Sequence, residues 1–502
     1  MNPRRSWTRA GRWLGLALAA LATAIAIASC GGSGGGSVTL AVDRATVGPA
    51  VPNGFTGVSM EFRGLEDYVG KDPTALNPAF VQLIRNLAPG QSPVLRIGGD
   101  STDWTWWPVA NITRPPGVKY DLSDDWLKVG RALSQAIGGR LILGINLEAD
   151  SPPVAAAEAR AFLGGIGRAG IQALEIGNEP ELYGSFSWYR TPAGAHVLGR
   201  PRGYDFTDYV RDFSSFASSL PPATIAGPST GGPEFMRPLD SFLSAEPRVG
   251  LVTLHSYPLK HCSASSHVTI DDLLSDQSSA GLAKTIAPYV QIAARHRLGV
   301  RIDEMNAVSC GGVRGVSNSF GSALWALDAL FELERVGVEG VNIDTVPGTI
   351  NELIGSQQAG ASWHAEVHPE YYGLMMFAQA APAGSRLLRL SWHPPAGIDA
   401  WATRARDGHV RVVLINRRSG SQIVHVRIPS ILGRGTVERL EAPNVEATSG
   451  VTLGGQSFGS ETSTGSLAGP RQVVTVASVS GSYTVTVPGY SAAMLTLQED
   501  DR

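Results

Sequence analysis

A (β/α)8 barrel followed by an antiparallel β-sandwich is the fold class that this sequence predicts. Three observations carry the prediction. Between Thr56 and Val346, eight apolar runs of strand length are separated by helical patterns, the rhythm of a parallel barrel. From about Ser385 the period shortens to alternating runs among Gly, Ser, Asn and Pro clusters, which reads as a sandwich. No Gly-rich phosphate loop follows the first strand, which argues against an open dinucleotide-binding sheet.

Composition agrees with a large globular chain. Its 502 residues, 43% of them hydrophobic, suffice for an extensive core, and a formal net charge of −3 shows no bias toward nucleic acid or an anionic surface. Residues 1–30 read as a targeting signal: Arg4, Arg5, Arg9 and Arg12 precede the apolar run Leu14 to Ile27. The run ends in Ile27-Ala28-Ser29-Cys30, which resembles the bacterial lipobox, where the cysteine is acylated and becomes the new N-terminus. Residues 31–37 then form a Gly/Ser tether. The expectation is an extracytoplasmic chain, lipid-anchored to the cell membrane at Cys30; an ordinary secretory signal or a short membrane anchor is the alternative. Cys262 and Cys310 remain, and an even remainder in an oxidising compartment suggests one disulfide, with two unrelated thiols as the alternative.

Candidate barrel strands are Gly57–Glu61, Val94–Gly98, Leu141–Asn146, Ala173–Gly177, Ala223–Ala226, Leu251–His255, Val300–Asp303 and Gly340–Asp344. Phe80, Leu83, Ile84 and Leu87 recur at helical spacing, as do Leu324, Leu327, Leu330 and Phe331. Tyr371 to Ala380 reads as the helix that closes the barrel. The barrel is therefore expected over residues 51–384 and the sandwich over 385–502, with residues 38–50 as a strand that joins the sandwich.

In a (β/α)8 barrel, functional groups project from the carboxyl ends of the strands. Leu174-Glu175-Ile176-Gly177-Asn178-Glu179-Pro180 ends one strand on an Asn-Glu pair, because Pro180 cannot donate to a ladder and biases Glu179 away from helix. Val300-Arg301-Ile302-Asp303-Glu304-Met305-Asn306 presents a second glutamate in the same way. Two such carboxylates are what hydrolysis of a glycosidic bond requires. Glu61, Asp100, Asn146, His255, Tyr257 and Asn306 complete a polar ring without metal-ligand spacing, and Trp104, Trp106, Trp107 and Trp363 are available as stacking faces.

Gly177-Asn178-Glu179-Pro180 on the fourth strand with Glu304 on the seventh resembles clan A of the retaining glycoside hydrolases. Ser59-Met60-Glu61-Phe62, Leu95 through Asp103, His255-Ser256-Tyr257-Pro258, Pro369-Glu370-Tyr371-Tyr372-Gly373 and the tail Gly450 through Ser457 resemble glycoside hydrolase family 79, the β-glucuronidase and heparanase family. The resemblance implies Glu179 as acid/base and Glu304 as nucleophile, with Tyr257 beside it. It also implies Asn178 on the 2-hydroxyl, Glu61 and Asp100 on hydroxyls of the terminal sugar, and the amides of Gly311 and Gly312 on a uronate carboxylate. Val308-Ser309-Cys310 departs from the pattern where bacterial members commonly carry a tyrosine. The substrate implied is a glycan or glycoside containing glucuronic acid, cleaved without cofactor or metal. Alternatives are a clan A enzyme for a neutral sugar, an endo-acting heparanase-like enzyme, and a non-catalytic glycan-binding lipoprotein.

Overall fold

The computed structural model describes residues 37–498, apart from 264, 429, 430 and 432. The expected signal segment, most of the expected tether and Cys30 lie outside the described residues. Eight parallel strands close into a barrel: β1 (Thr56–Glu61), β2 (Val94–Gly98), β3 (Arg140–Ile145), β4 (Ile171–Ile176), β5 (Ile225–Thr230), β6 (Val249–Ser256), β7 (Val300–Met305) and β8 (Gly340–Asp344). Neighbours in the chain are neighbours in the barrel, and β4 pairs with β5 to complete the ring. The fifth strand differs from the expected Ala223–Ala226: it starts at Ile225 and continues through Gly227 and Pro228, residues that normally break a strand.

Helices pack where their apolar stripes direct them. Pro78–Leu87 begins at Asn77, whose side chain accepts from the amides of Ala79 and Phe80, and Pro78 occupies the first turn, where no amide donor is required. Its stripe Phe80, Leu83, Ile84 and Leu87 is buried. Helix Phe320–Arg335 is buried on nearly all sides. One side meets helix Pro369–Ala380 through Phe331 and Phe377, with centroids 4.9 Å apart, and another meets the sandwich, where Trp401 stacks on Phe331 at 5.3 Å. Trp401 Nε1 donates to Asp328 Oδ1 at 2.9 Å, so the buried indole N–H has a partner. A hairpin, Ile354–Ala359 with Ser362–Val367, separates β8 from the closing helix; its alternating residues gave no strand expectation.

The second layer is one ten-stranded sheet curled around its own core. Leu40, Val42, Val412, Val424, Tyr483 and Leu495 share that core, although they come from strands far apart in the order. The N-terminal strand Ser37–Ala50 sits inside this sheet, antiparallel to Arg386–Ser391 and parallel to Gln422–Arg427. The sandwich is thus antiparallel except at this one described pair. Among the described residues no helix is long and apolar enough to cross a membrane.

Candidate active site

The strand ends bring Glu179 and Glu304 together. One carboxylate oxygen of each, with one ring nitrogen of His255, all lie within 4.8 Å of one another. Glu179 is held in a left-handed backbone conformation, φ 44° and ψ 55°, which differs from the extended geometry that Pro180 favours. The tertiary structure holds it there: Glu179 N donates to Ser229 O at 2.8 Å, and Oε1 lies 3.1 Å from His255 Nδ1. Strain of this kind persists where the surroundings over-determine the backbone, and it places the carboxylate over the barrel mouth.

Glu304 has both oxygens engaged. Oε2 accepts from Arg96 Nη1 at 2.6 Å and Oε1 from the Tyr257 hydroxyl at 3.0 Å. Burial alone would raise its pKa, but His255 and Arg96 overcome burial and hold the carboxyl below its ordinary value. His255 responds in the opposite sense. Burial alone would lower it, yet the charge of Glu304 and the bond to Glu179 push it up to about 10.

Arg96, on β2, organises the floor. Its guanidinium is fully buried and donates to Glu175 Oε2 at 2.7 Å and to Asn178 Oδ1 at 2.8 Å, besides Glu304. Asp303 lies 3.3 Å from its Nε, whereas His255 Nε2, 3.2 Å from its Nη2, faces it as a second positive group that the surrounding carboxylates also balance. A buried cation is tolerable only when paired this completely. Glu179, His255 and Glu304 are also close enough to surround a metal ion, but the positive charge at Glu304 Oε2 already comes from Arg96.

The loops after the strands carry the remaining groups. Glu61 Oε2 accepts from Ser101 N at 2.7 Å, and burial, reinforced by Asp100, pushes Glu61 up to about 7. Cys262 and Cys310 are joined in a disulfide that ties the loop after β6 to the loop after β7. Two-residue strands Leu259–Lys260 and Val308–Ser309 pair beside it. Gly311 and Gly312 follow, both with positive φ, 87° and 81°, and among the described residues their amides donate to no other group. Gly311 borders open space, whereas Asn351 Oδ1 would stand 2.1 Å from a Cβ at Gly312.

Residues 400–494 match the model of the glycosyl hydrolase family 79 C-terminal β domain. The chain is 24% identical over 524 aligned positions to a β-glucuronidase of Aspergillus niger, covering 88% of this chain and 90% of the relative. These two matches support glycoside hydrolase family 79. Among solved structures it resembles a 4-O-α-L-rhamnosyl-β-D-glucuronidase from Fusarium oxysporum, with TM-score 0.71, 21% identity, and coverage of 91% of this chain and 100% of that one. It also resembles a family 51 arabinofuranosidase from Xanthomonas axonopodis, with TM-score 0.65, 16% identity, and coverage of 92% and 100%. These likenesses show a shared fold.

The chain is a glycoside hydrolase, and the non-catalytic reading falls away. Several ring residues turn out to support the hydrolase fold. Asn146 donates to the carbonyls of Asp103 and Thr105, and Asn306 to that of Asp344, so both amides are consumed in tying their strand ends to the neighbouring ones. Trp106 is buried, with Nε1 on Asp121, and Trp363 is packed into the hairpin. Trp104 reaches the cleft, but Lys119 Nζ lies 3.1 Å from its ring centroid. Arg96 and the carboxylates Glu175 and Asp303 beneath it were missed. The signal was present: each is a charge inside an otherwise apolar strand, which a barrel interior accepts only in pairs.

Proposed function

We propose that this family 79 hydrolase is a retaining β-glucuronidase that removes terminal β-linked glucuronic acid. The observation that carries the mechanism is the approach of the two carboxylates, whose oxygens come within 4.8 Å. Retaining glycosidases hold their carboxyl groups about 5–5.5 Å apart, whereas inverting ones need roughly 6.5–9.5 Å to admit a water. In this reading Glu304 attacks the anomeric carbon as Glu179 gives its proton to the departing oxygen. Water, deprotonated by Glu179, then hydrolyses the glycosyl ester and frees Glu304. Arg96 and Tyr257 keep Glu304 ionised and fix its plane before attack. Asn178, oriented by Arg96, reaches the 2-hydroxyl, while Glu61 and Asp100 hold others.

The sugar is assigned from the likeness to the Aspergillus niger β-glucuronidase and from the loop at Gly311 and Gly312. A carboxylate entering an enclosed site loses solvation worth several kcal/mol and needs donors in return. Free amides beside an unobstructed Gly311 meet that need, and the disulfide holds them in place. A panel of aryl β-glucuronide, β-glucoside, β-galactoside and β-xyloside tests the reading. The glucuronide should be preferred by at least about tenfold, equivalent to roughly 1.4 kcal/mol, and the first-formed sugar should keep the β configuration. A neutral sugar preferred, or an α product, would overturn it. For location, we propose acylation at Cys30; mass spectrometry finding Cys30 unmodified in the mature chain would remove that assignment.

A further inference from the structure

Four arginines are buried among the described residues: Arg96, Arg200, Arg301 and Arg417. Three of them are paired with carboxylates. Arg96 faces Glu175, Asp303 and Glu304, Arg200 faces Asp150 and Asp212, and Arg417 faces Asp276 and Asp399. Arg301, 5% exposed and near the start of β7, has no ion-pair partner among the described residues. Its Nε donates to Asn342 Oδ1 at 2.6 Å and its Nη2 to the carbonyl of Gly54 at 2.8 Å, both neutral acceptors. Nη1 makes no hydrogen bond among the described residues, and it is not sealed in. Gly340 makes room for it, since a Cβ there would stand 1.9 Å from Nη1. Burial pulls Arg301 down to about 10, against the more distant charges of Asp303 and Glu339, so it remains a cation at neutral pH.

This unmatched cation lines a cavity of about 260 Å³ at the amino-terminal mouth of the barrel, the end opposite the two glutamates. Asn53, Ser92, Arg140 and Gln172 share the lining, and each lies at or just before the start of a barrel strand. Arg140 is exposed, and among the described residues its guanidinium meets only Gln172 Oε1, at 3.4 Å. The carboxamide nitrogens of Asn53 and Gln172 donate to no described group. Glu339, exposed, is the only carboxylate among the lining residues, so two guanidiniums face one acid. The mouth therefore offers an excess of donors and of positive charge, with a buried cation at its base.

We propose that this mouth is a binding site for a small oxoanion, phosphate or sulfate, held by Arg301 at its base and Arg140 at its rim. A buried charge is costly until a counter-charge meets it, and the other three buried arginines find theirs within the chain. Guanidinium groups present paired N–H donors that match the oxygens of such an ion, and the two carboxamides add neutral donors. No aromatic face lines the cavity, which disfavours a sugar there. The bound ion would complete the charge balance at the end of the barrel remote from the chemistry, where a ligand acts on stability and not on turnover.

The test titrates inorganic phosphate, and separately sulfate, into the purified chain by calorimetry at neutral pH and constant ionic strength, with chloride as the reference ion. The wild type should bind one ion saturably. Arg140→Ala and Arg301→Gln should each weaken binding by at least about tenfold, the loss of one charge-assisted pair. Glu339→Gln removes the opposing charge and should tighten binding by at least about twofold, a gain that a merely damaged fold would not give. Both ions also stabilise proteins by exclusion from the surface, so melting temperatures are read as a difference between chains. Exchange of chloride for sulfate should raise the wild-type melting temperature by several degrees more than that of Arg140→Ala. Arg140 and Glu339 are exposed, so their variants answer even if Arg301→Gln does not fold. No saturable binding, binding of wild-type strength in Arg140→Ala, weaker binding in Glu339→Gln, or equal thermal gains would each overturn the proposal.

Discussion

Removing the Glu304 carboxylate takes away the acceptor of the Tyr257 hydroxyl and the carboxylate facing Arg96 Nη1, and leaves no group to form the ester. Glu304→Ala should therefore lower kcat on every substrate by about 10⁴-fold or more. Glu179→Ala should be selective: a poor leaving group needs the proton, so its rate should fall about 10²–10⁴-fold, while a good one still departs. Azide should then accelerate turnover of the activated substrate and give a β-glycosyl azide, detectable by NMR; no azide product would contradict the assignment of Glu179. His255 supplies a pH test. Its pKa rises on folding from an ordinary 6.5 to about 10, so its contribution to stability is complete below pH 6.5 and is lost as pH rises toward 10. Urea unfolding of wild type and His255→Gln should show a gap of roughly 2–4 kcal/mol at pH 6 that narrows by pH 10. A gap independent of pH would mean that the charge is not stabilising.

At the scale of elements, the loops after β6 and β7 are joined by a disulfide closing 48 positions of chain. On the loop-entropy model such a closure stabilises by about 4 kcal/mol. The paired variant Cys262→Ser and Cys310→Ser should lower the melting temperature by several degrees. If the loop reads the uronate, that variant should also lose more kcat/KM on the glucuronide than on the glucoside. Equal losses would leave the bridge as a purely stabilising link. The loops after β2, β3 and β4 are joined differently, through Asp103, which accepts from Leu147 N, Glu148 N and the Tyr183 hydroxyl.

For the whole molecule, the strand preceding the barrel is a central strand of the sheet that follows it. Residues 37–50 pair with two strands, and their removal would expose two edges and uncover the core around Leu40 and Val42. Deleting them should destabilise the sandwich by more than about 3 kcal/mol. Because Trp401 and Phe331 couple the sandwich to the barrel, activity should fall in the same thermal transition. A truncated chain that keeps the wild-type melting temperature would show that the strand is dispensable.

The sequence alone determined the barrel, the sandwich and the two glutamates, because each is a local signal. Strand ends are marked by Asn-Glu-Pro and Asp-Glu-Met, and the change of hydrophobic period near Ser385 marks the second layer. The pairing of Cys262 with Cys310 was also within reach, as the two cysteines left once Cys30 is read as part of a targeting segment. Only the tertiary structure decided which polar groups act together. Arg96, Glu175 and Asp303 come from three strands and meet only inside the closed ring, so their mutual neutralisation has no signature in sequence spacing. Glu179 adopts a left-handed backbone against the preference set by Pro180, because Ser229 and His255, remote in the chain, hold it there. Local propensity acts at about 1 kcal/mol or less per residue, and a buried charge network outweighs it.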